Sequence, residues 1–160
     1  MTVGRMCTGS VATVRAETSV VDAAKRMRDW KAAGLVVTDQ SQRPIGIVTD
    51  RDIVIRGIAR DPERLATLPV SEVMSGDVAT ARADETLEVV LRRMRGLGVR
   101  RLPMVDAQGV LQGIVTLDDV LGVMADEFHD LISLMGREHQ HDCERSRGGA
   151  VGPRSPVVPA

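Results

Sequence analysis

A chain of 160 residues, of which 43% are hydrophobic, is long enough to bury a core without disulfides or structural metal ions. Its 21 basic and 22 acidic residues leave a formal net charge of -1, and its aromatic side chains are one Trp and one Phe. Nucleic-acid-binding domains usually need a basic surface or aromatic stacking platforms, so this composition argues against DNA or RNA as a partner.

The first predicted elements follow one another closely. A short strand around Val11–Val14 precedes an amphipathic helix that carries Val20, Ala24 and Met27 at helical spacing. Two apolar strands, LVVTD and IGIVT, follow on either side of the turn-rich stretch QSQRP. A second helix is predicted to begin at Thr49, so the order of elements is β-α-β-β-α.

The same order recurs with an offset of 67 residues. GIVTDRD at Gly46–Asp52 has its counterpart in GIVTLDD at Gly113–Asp119. The second copy has a strand around Val78–Ala81, the strands LPMVD and LQGIVT, and a helix predicted to begin at Thr116. One register held across a whole group of elements indicates two copies of a single structural unit. In the second copy, the apolar positions of the first helix are Leu87, Val90, Leu91 and Met94.

A connecting segment and a C-terminal extension complete the predicted organisation. ARDPERLATLP joins the copies, and the last helix continues through LDDVLGVMADEFHDLISLMGREH, far beyond the length of its counterpart. The end of the chain is rich in Gly, Pro, Ser and Arg, a composition typical of disorder. The expected boundaries are 5–60 for repeat 1, 61–69 for the linker, 70–125 for repeat 2, 126–141 for the helical extension and 142–160 for the disordered tail.

Each copy places Thr-x-x-Asp where a Gly-containing strand enters a helix. One interpretation is a helix cap, because a Thr hydroxyl accepts from the third helical amide and an acidic residue there bonds back to the amide of the cap. The other is a ligand site. A helix N-terminus offers free N–H groups to a phosphate, and an Asp can accept from two ribose hydroxyls. The residue types therefore fit a nucleoside phosphate as well as a cap.

The sequence resembles a tandem pair of cystathionine-β-synthase (CBS) domains, also called a Bateman module, of the stand-alone bacterial or archaeal type. The resemblance spans about Arg5 to Met124. It rests on VATVRAETSVVDAAKRM, GIVTDRDIV, GVRRLPMVD and GIVTLDDVL. It implies an α/β (α+β) fold of two β-α-β-β-α repeats related by a pseudo-twofold axis, which bind AMP, ADP or ATP in the clefts between the repeats without catalysing a reaction.

The resemblance also implies positions for the ligand. In the family, the Asp of the Gly-x-x-[Ser/Thr]-x-x-Asp element holds the ribose, and the hydroxyl holds the ribose or a phosphate. The stretch before the middle strand lines the adenine pocket, where small side chains leave room for a base and arginines can reach phosphates. The candidate ligand-binding residues are Thr49, Arg51, Asp52, Thr116 and Asp119 at the helix starts, Ala32, Ala33, Gly34, Val99, Arg100 and Arg101 before the middle strands, and Thr13 and Thr80 at the first strands.

The two copies differ in ways that predict unequal sites. Arg51 can meet a phosphate, whereas its counterpart, Asp118, would repel one. We therefore expect the phosphate preferences of the two clefts to differ.

Metal and catalytic sites are not expected. The stretch HQHDC, with His139, His141 and Cys143, has ligand residue types but no standard zinc spacing. The sequence has neither a Gly-x-Ser-x-Gly elbow nor a P-loop. Cys7 and Cys143 lack the spacing of a disulfide framework, so we interpret them as reduced thiols of a cytoplasmic protein. No run of 18 apolar residues suggests a membrane span.

We expect a regulatory module that binds an adenosine-containing ligand and acts on an unknown regulated protein. The alternative is a structural protein-interaction module whose Thr-x-x-Asp elements are only helix caps. Apolar residues of the last helix recur at spacings of three and four, which predicts a homodimer with Leu117 to about Glu138 in its interface; the alternative is a monomer in which the helix covers its own module. The apolar positions are Val120, Leu121, Met124, Phe128, Leu131, Leu134 and Met135.

Overall fold

The structure, a computed structural model, describes residues 1–6 and 9–147 of the chain and the side chains of residues 1–6 and 9–135. The first repeat forms a three-stranded sheet whose strands lie in chain order, flanked by helices. A π-helix, Ile53–Ile58, continues its second helix. The predicted β-α-β-β-α order is confirmed. The elements are β1 (Thr13–Arg15), α1 (Val20–Trp30), β2 (Gly34–Thr38), β3 (Pro44–Thr49) and α2 (Asp50–Asp52).

The second repeat has the same topology, with its three strands again in chain order. The first strand of each repeat begins two to three residues later than predicted. Short 3-10 turns occur at Val3–Arg5, Pro62–Arg64 and Val70–Glu72. The elements are β4 (Ala81–Arg82), α3 (Leu87–Leu97), β5 (Arg101–Val105), β6 (Leu111–Thr116) and α4 (Leu117–Arg147).

The strand register brings the candidate site residues of each repeat together. β2 runs antiparallel to β3, with Gly34 opposite Thr49, and β5 runs antiparallel to β6, with Arg101 opposite Thr116. The start of each middle strand therefore lies beside the Thr that begins the next helix. This arrangement follows from the short turns between the strands, which favour antiparallel pairing of neighbours.

The helices bury their apolar stripes against the sheets. In α1 the buried residues are Val20, Ala23 and Met27, so the core contains Ala23, whereas the sequence pattern had favoured Ala24, which is exposed. In α3 the buried residues are Val90 and Met94. The spacing of three and four residues places these side chains on one helical face, as the predicted periodicity requires.

The segment before the first strand of each repeat packs on the other repeat. Val3 belongs to the core of the second repeat, and its N–H donates to the carbonyl of Glu85 at 3.0 Å. Val70 belongs to the core of the first repeat, and its N–H donates to the carbonyl of Thr18 at 2.8 Å. Both valines are fully buried, so the two repeats are joined by a reciprocal exchange of segments.

The expected linker and tail have different outcomes. Leu68, placed in the linker by the sequence, is buried in the core of the first repeat. Helix α4 continues to Arg147, past the expected end at residue 141, and residues 148–160 of the expected disordered tail lie outside the described residues. The described residues divide into two compact units, one from Met1 to Val120 and one that begins at Leu121. None of the helices in the described part of the chain combines the length and apolarity needed to cross a bilayer.

Candidate functional site

Thr49 and Asp52 form a complete capping box at the start of α2. The Thr49 hydroxyl accepts from the Asp52 amide at 3.2 Å. Its own proton goes to Asp52 Oδ2 at 2.7 Å, which also accepts from the Thr49 amide at 2.9 Å. All three bonds use Oδ2 or the main chain, so Oδ1 keeps its hydrogen-bonding capacity. Its described neighbour is the Arg56 guanidinium, with Nε 3.8 Å away.

Thr116 and Asp119 reproduce this geometry in the second repeat. The Thr116 hydroxyl donates to Asp119 Oδ2 at 2.7 Å and accepts from the Asp119 amide at 3.1 Å. The Thr116 amide donates to the same carboxylate oxygen at 3.0 Å. The capping interpretation of Thr-x-x-Asp therefore describes the local structure of both copies. It leaves one oxygen of each carboxylate for a further role.

A cavity of about 530 Å³ lies between the two repeats, a size typical of small-molecule sites. The first repeat contributes the end of β3 and the start of α2. The second contributes the end of α3 and the start of β5, and its segment before the first strand supplies a third wall. The lining residues are Ile47, Thr49, Arg51, Asp52, Ser75, Gly76, Asp77, Val78, Ala79, Leu97, Gly98, Val99, Arg100, Arg101 and Leu102.

The cavity brings together candidate residues of different copies. Thr49, Arg51 and Asp52 come from the first repeat, and Val99 to Arg101 come from the second. The remaining candidates are not in its lining. Thr13 lines a separate cavity within the first repeat, and the Thr80 carbonyl accepts from Arg93. The candidates outside the inter-repeat cavity are Ala32, Ala33, Gly34, Thr116, Asp119, Thr13 and Thr80.

Three arginines give the cavity its positive charge. Arg51, Arg100 and Arg101 line it, and none of them forms an ion pair with a described residue. Two carboxylates, Asp52 and Asp77, also belong to the lining. Unpaired guanidinium groups beside acceptor oxygens suit a ligand that has both an anionic part and hydroxyl groups.

Two glycines permit the close approaches that shape this site. A Cβ on Gly34 would lie 2.6 Å from Nη1 of Arg101, so the arginine of the second repeat extends over the glycine of the first. A Cβ on Gly46 would lie 2.6 Å from the Met74 sulfur and 2.9 Å from the Ser75 carbonyl oxygen. Ile47 and Ser75 exchange two backbone hydrogen bonds, of 3.0 and 2.9 Å. Gly46 therefore lets the 74–75 segment lie against β3.

Sequence reasoning missed the wall formed by Ser75–Ala79. Asp77 in this wall has φ 49°, in the left-handed region that Asp tolerates better than most residues. The signal in the sequence was the turn-forming triplet Ser75-Gly76-Asp77, which had no assigned role. Its position in the cavity depends on contacts with β3, which a local pattern does not report.

The described residues contain no group of three His, Cys, Asp or Glu side chains that could hold a metal ion. The side chains of His139, His141 and Cys143 lie outside the described residues. Cys7 also lies outside them. The inter-repeat cavity has no His or Cys among its described lining residues.

Comparison with known proteins gives one consistent result. A family model described as CBS domain matches residues 3–57 and 70–126, which are the two structural repeats. CBS domain-containing protein YhcV of Bacillus subtilis is 37% identical over 113 residues, covering 71% of this chain and 78% of that protein.

An uncharacterized protein of Methanopyrus kandleri is 33% identical over 125 residues, or 77% of this chain. The chain spans 62% of the length of that relative. Among solved structures, the cytosolic domain of the Mg²⁺ channel MgtE in complex with ATP is 31% identical, with a TM-score of 0.65. That match covers 76% of this chain and 48% of the MgtE chain.

Proposed function

The chain belongs to the CBS domain family, and we propose that it is a non-catalytic regulatory module whose inter-repeat cavity binds an adenosine nucleotide such as AMP, ADP or ATP. One observation carries the proposal: a ribose-type acceptor, Asp52, shares a cavity with three arginines that lack ion-pair partners among the described residues. The complex of MgtE with ATP supports the same class of ligand.

Each part of the nucleotide has suitable partners in the cavity. Asp52 Oδ1 can accept from the ribose hydroxyls while Oδ2 keeps the helix cap. Arg51 can donate to the phosphates together with Arg100 or Arg101, because a guanidinium matches the geometry of phosphate oxygens. Apolar side chains such as Ile47, Val78 and Leu97 offer surfaces that can cover the adenine ring.

Binding across the repeats explains how the module can signal. A nucleotide in the cavity contacts the first repeat through Thr49 and Asp52 and the second through Arg100 and Arg101. It therefore stabilises the relative arrangement of the two repeats that presents all these groups at once. A regulated protein that contacts both repeats can detect this shift in the relative arrangement of the repeats.

We expect AMP, ADP or ATP to raise the thermal stability of the protein. A ligand at 100 times its dissociation constant adds about 2.7 kcal/mol to the free energy of unfolding. Differential scanning calorimetry with each nucleotide at millimolar concentration measures the effect. S-adenosylmethionine and NAD test other adenosine ligands, GTP is the control for the base, and inorganic triphosphate is the control for charge alone. Absence of stabilisation by any adenosine compound would favour the structural protein-interaction module.

We also propose that the protein forms a homodimer through α4. The side chains of Met124, Phe128 and Leu131 are more than half exposed, although they recur at helical spacing. Val120, which the sequence had grouped with them, is buried in the core of the second repeat. The stripe therefore begins at Leu121. A second copy is the simplest occupant, because a twofold axis brings the same stripe from both chains together.

Truncation after Met124 is expected to abolish or strongly weaken the dimer, since it removes most of the stripe. Sedimentation equilibrium measures the dimer dissociation constant. The paired change Phe128→Glu and Leu131→Glu should have the same effect in the full chain, and Glu127→Ala on the same helix is the control. A dimer that survives both the truncation and the paired change would place the interface elsewhere.

A further inference from the structure

The second repeat contains an ion pair that the first repeat lacks. Arg93 donates from both terminal nitrogens to the Glu85 carboxylate, at 3.0 and 2.5 Å, and also to the Thr80 carbonyl. Glu85 in turn accepts from the Arg82 amide at 2.8 Å. These side chains are largely covered, with 31% of Arg93 and 21% of Glu85 exposed. The hydrogen bonds from Arg93 hold the pKa of Glu85 below its usual value.

The repeat offset of 67 residues gives the counterpart of each partner. Arg93 corresponds to Arg26, and Glu85 corresponds to Thr18. The turn itself is common to both repeats, since the Thr18 hydroxyl accepts from the Arg15 amide at 3.3 Å. The Thr18 hydroxyl can accept the hydrogen bond that the Glu85 carboxylate accepts in the second repeat, but it does not supply the negative charge of that carboxylate. Arg26 is exposed and forms no ion pair with any described side chain.

A cavity of about 590 Å³ occupies this place in the first repeat. Thr13, Arg15, Thr18, Arg26 and Trp30 are among its lining residues. The same lining contains two carboxylates, and each is already paired. Asp22 lies 2.8 Å from the Lys25 ammonium, and Asp29 lies 2.8 Å from the Arg28 guanidinium. Arg26 is therefore available for an external anion.

We propose that this cavity binds a small organic anion whose carboxylate or phosphate oxygens occupy, on Arg26, the place that Glu85 occupies on Arg93. Arg15 adds a second guanidinium, although one of its nitrogens also donates to the Thr38 carbonyl at 3.4 Å. The volume exceeds the needs of a bare inorganic ion, and the half-exposed indole of Trp30 provides an aromatic surface for the rest of the molecule.

This site is separate from the inter-repeat cavity, with which it shares no lining residue. The proposal therefore does not depend on adenosine nucleotide binding. A module with both sites can respond to two ligands.

Trp30 is the single Trp of the chain, so its fluorescence reports on this cavity alone. The probes are inorganic phosphate and succinate, titrated against sodium chloride of equal ionic strength to remove general screening. We expect a saturable change in Trp30 emission with at least one probe. Arg26→Ala should weaken it about tenfold or more, because it removes charge-assisted hydrogen bonds. Arg92→Ala, an exposed arginine of the second repeat, is the control and should leave the affinity unchanged.

The substitution Thr18→Glu tests the comparison between the repeats directly. It supplies the carboxylate that the second repeat already has, so Glu at this position should pair with Arg26, abolish the anion response and raise the melting temperature. Thr18→Gln, which adds nearly the same bulk without charge, should weaken the response less than Thr18→Glu does. Asp52→Asn should also retain it, which separates this site from the nucleotide site. No saturable response to either probe, or a response that persists in Arg26→Ala or Thr18→Glu, would overturn the proposal.

Discussion

Replacing Asp52 with Asn is expected to weaken nucleotide binding by about 1.5 to 3 kcal/mol, the usual value of hydrogen bonds to a charged group. Asp52 lines the inter-repeat cavity, and its Oδ1 is the acceptor proposed for the ribose hydroxyls. An amide at this position accepts through one oxygen, which the cap also needs, and its NH₂ group cannot accept. Isothermal titration calorimetry with AMP and ATP measures the loss, which tests the ribose role proposed above.

The second repeat offers a matched control for this change. Asp119 makes the same cap with Thr116 but does not line the inter-repeat cavity. Asp119→Asn should therefore reduce stability by an amount similar to Asp52→Asn and leave nucleotide affinity at this cavity intact. If the two variants lose affinity equally, or if neither loses it, Asp52 is a cap and the ribose assignment is wrong.

The substitution Gly46→Ala is expected to lower the free energy of unfolding by about 1 to 3 kcal/mol, the range found for overpacked cores. The new Cβ would lie 2.9 Å from the Ser75 carbonyl oxygen, a backbone atom that moves only with its segment. Ser75 is held to Ile47 by two backbone hydrogen bonds, so relief of the clash must disturb that pairing. Urea denaturation followed by circular dichroism measures the change.

Gly46→Ala should also weaken nucleotide binding, because Ser75–Ala79 forms one wall of the cavity. Gly96→Ala is the control. Gly96 lies within α3, and a methyl group added to it would meet no atom within 4 Å outside its own stretch of helix. Replacing Gly by Ala inside a helix stabilises by up to about 1 kcal/mol. If Gly46→Ala proved as stable as the wild type, the close approach of the 74–75 segment would not be required for folding.

Local patterns in the sequence were sufficient for the elements and the caps. The alternation and helical spacing of apolar residues predicted the β-α-β-β-α order, and Thr-x-x-Asp predicted the hydrogen bonds of Thr49 with Asp52. Such features depend on residues at most four positions apart, so their geometry is nearly the same in any fold that forms the element. The 67-residue offset identified the repeat because equal folds select equal patterns.

Only the tertiary structure decided which candidate residues of the two repeats line the same cavity. It places Asp52 in the lining of one cavity with Arg100 and Arg101 of the other repeat, and it exchanges the segments of Val3 and Val70 between the two cores. It also decided that Arg93 is paired while Arg26 faces a cavity. These contacts join residues far apart in the chain. They depend on how two separately predicted sheets and their connecting segments pack, and local spacing carries no information about that packing.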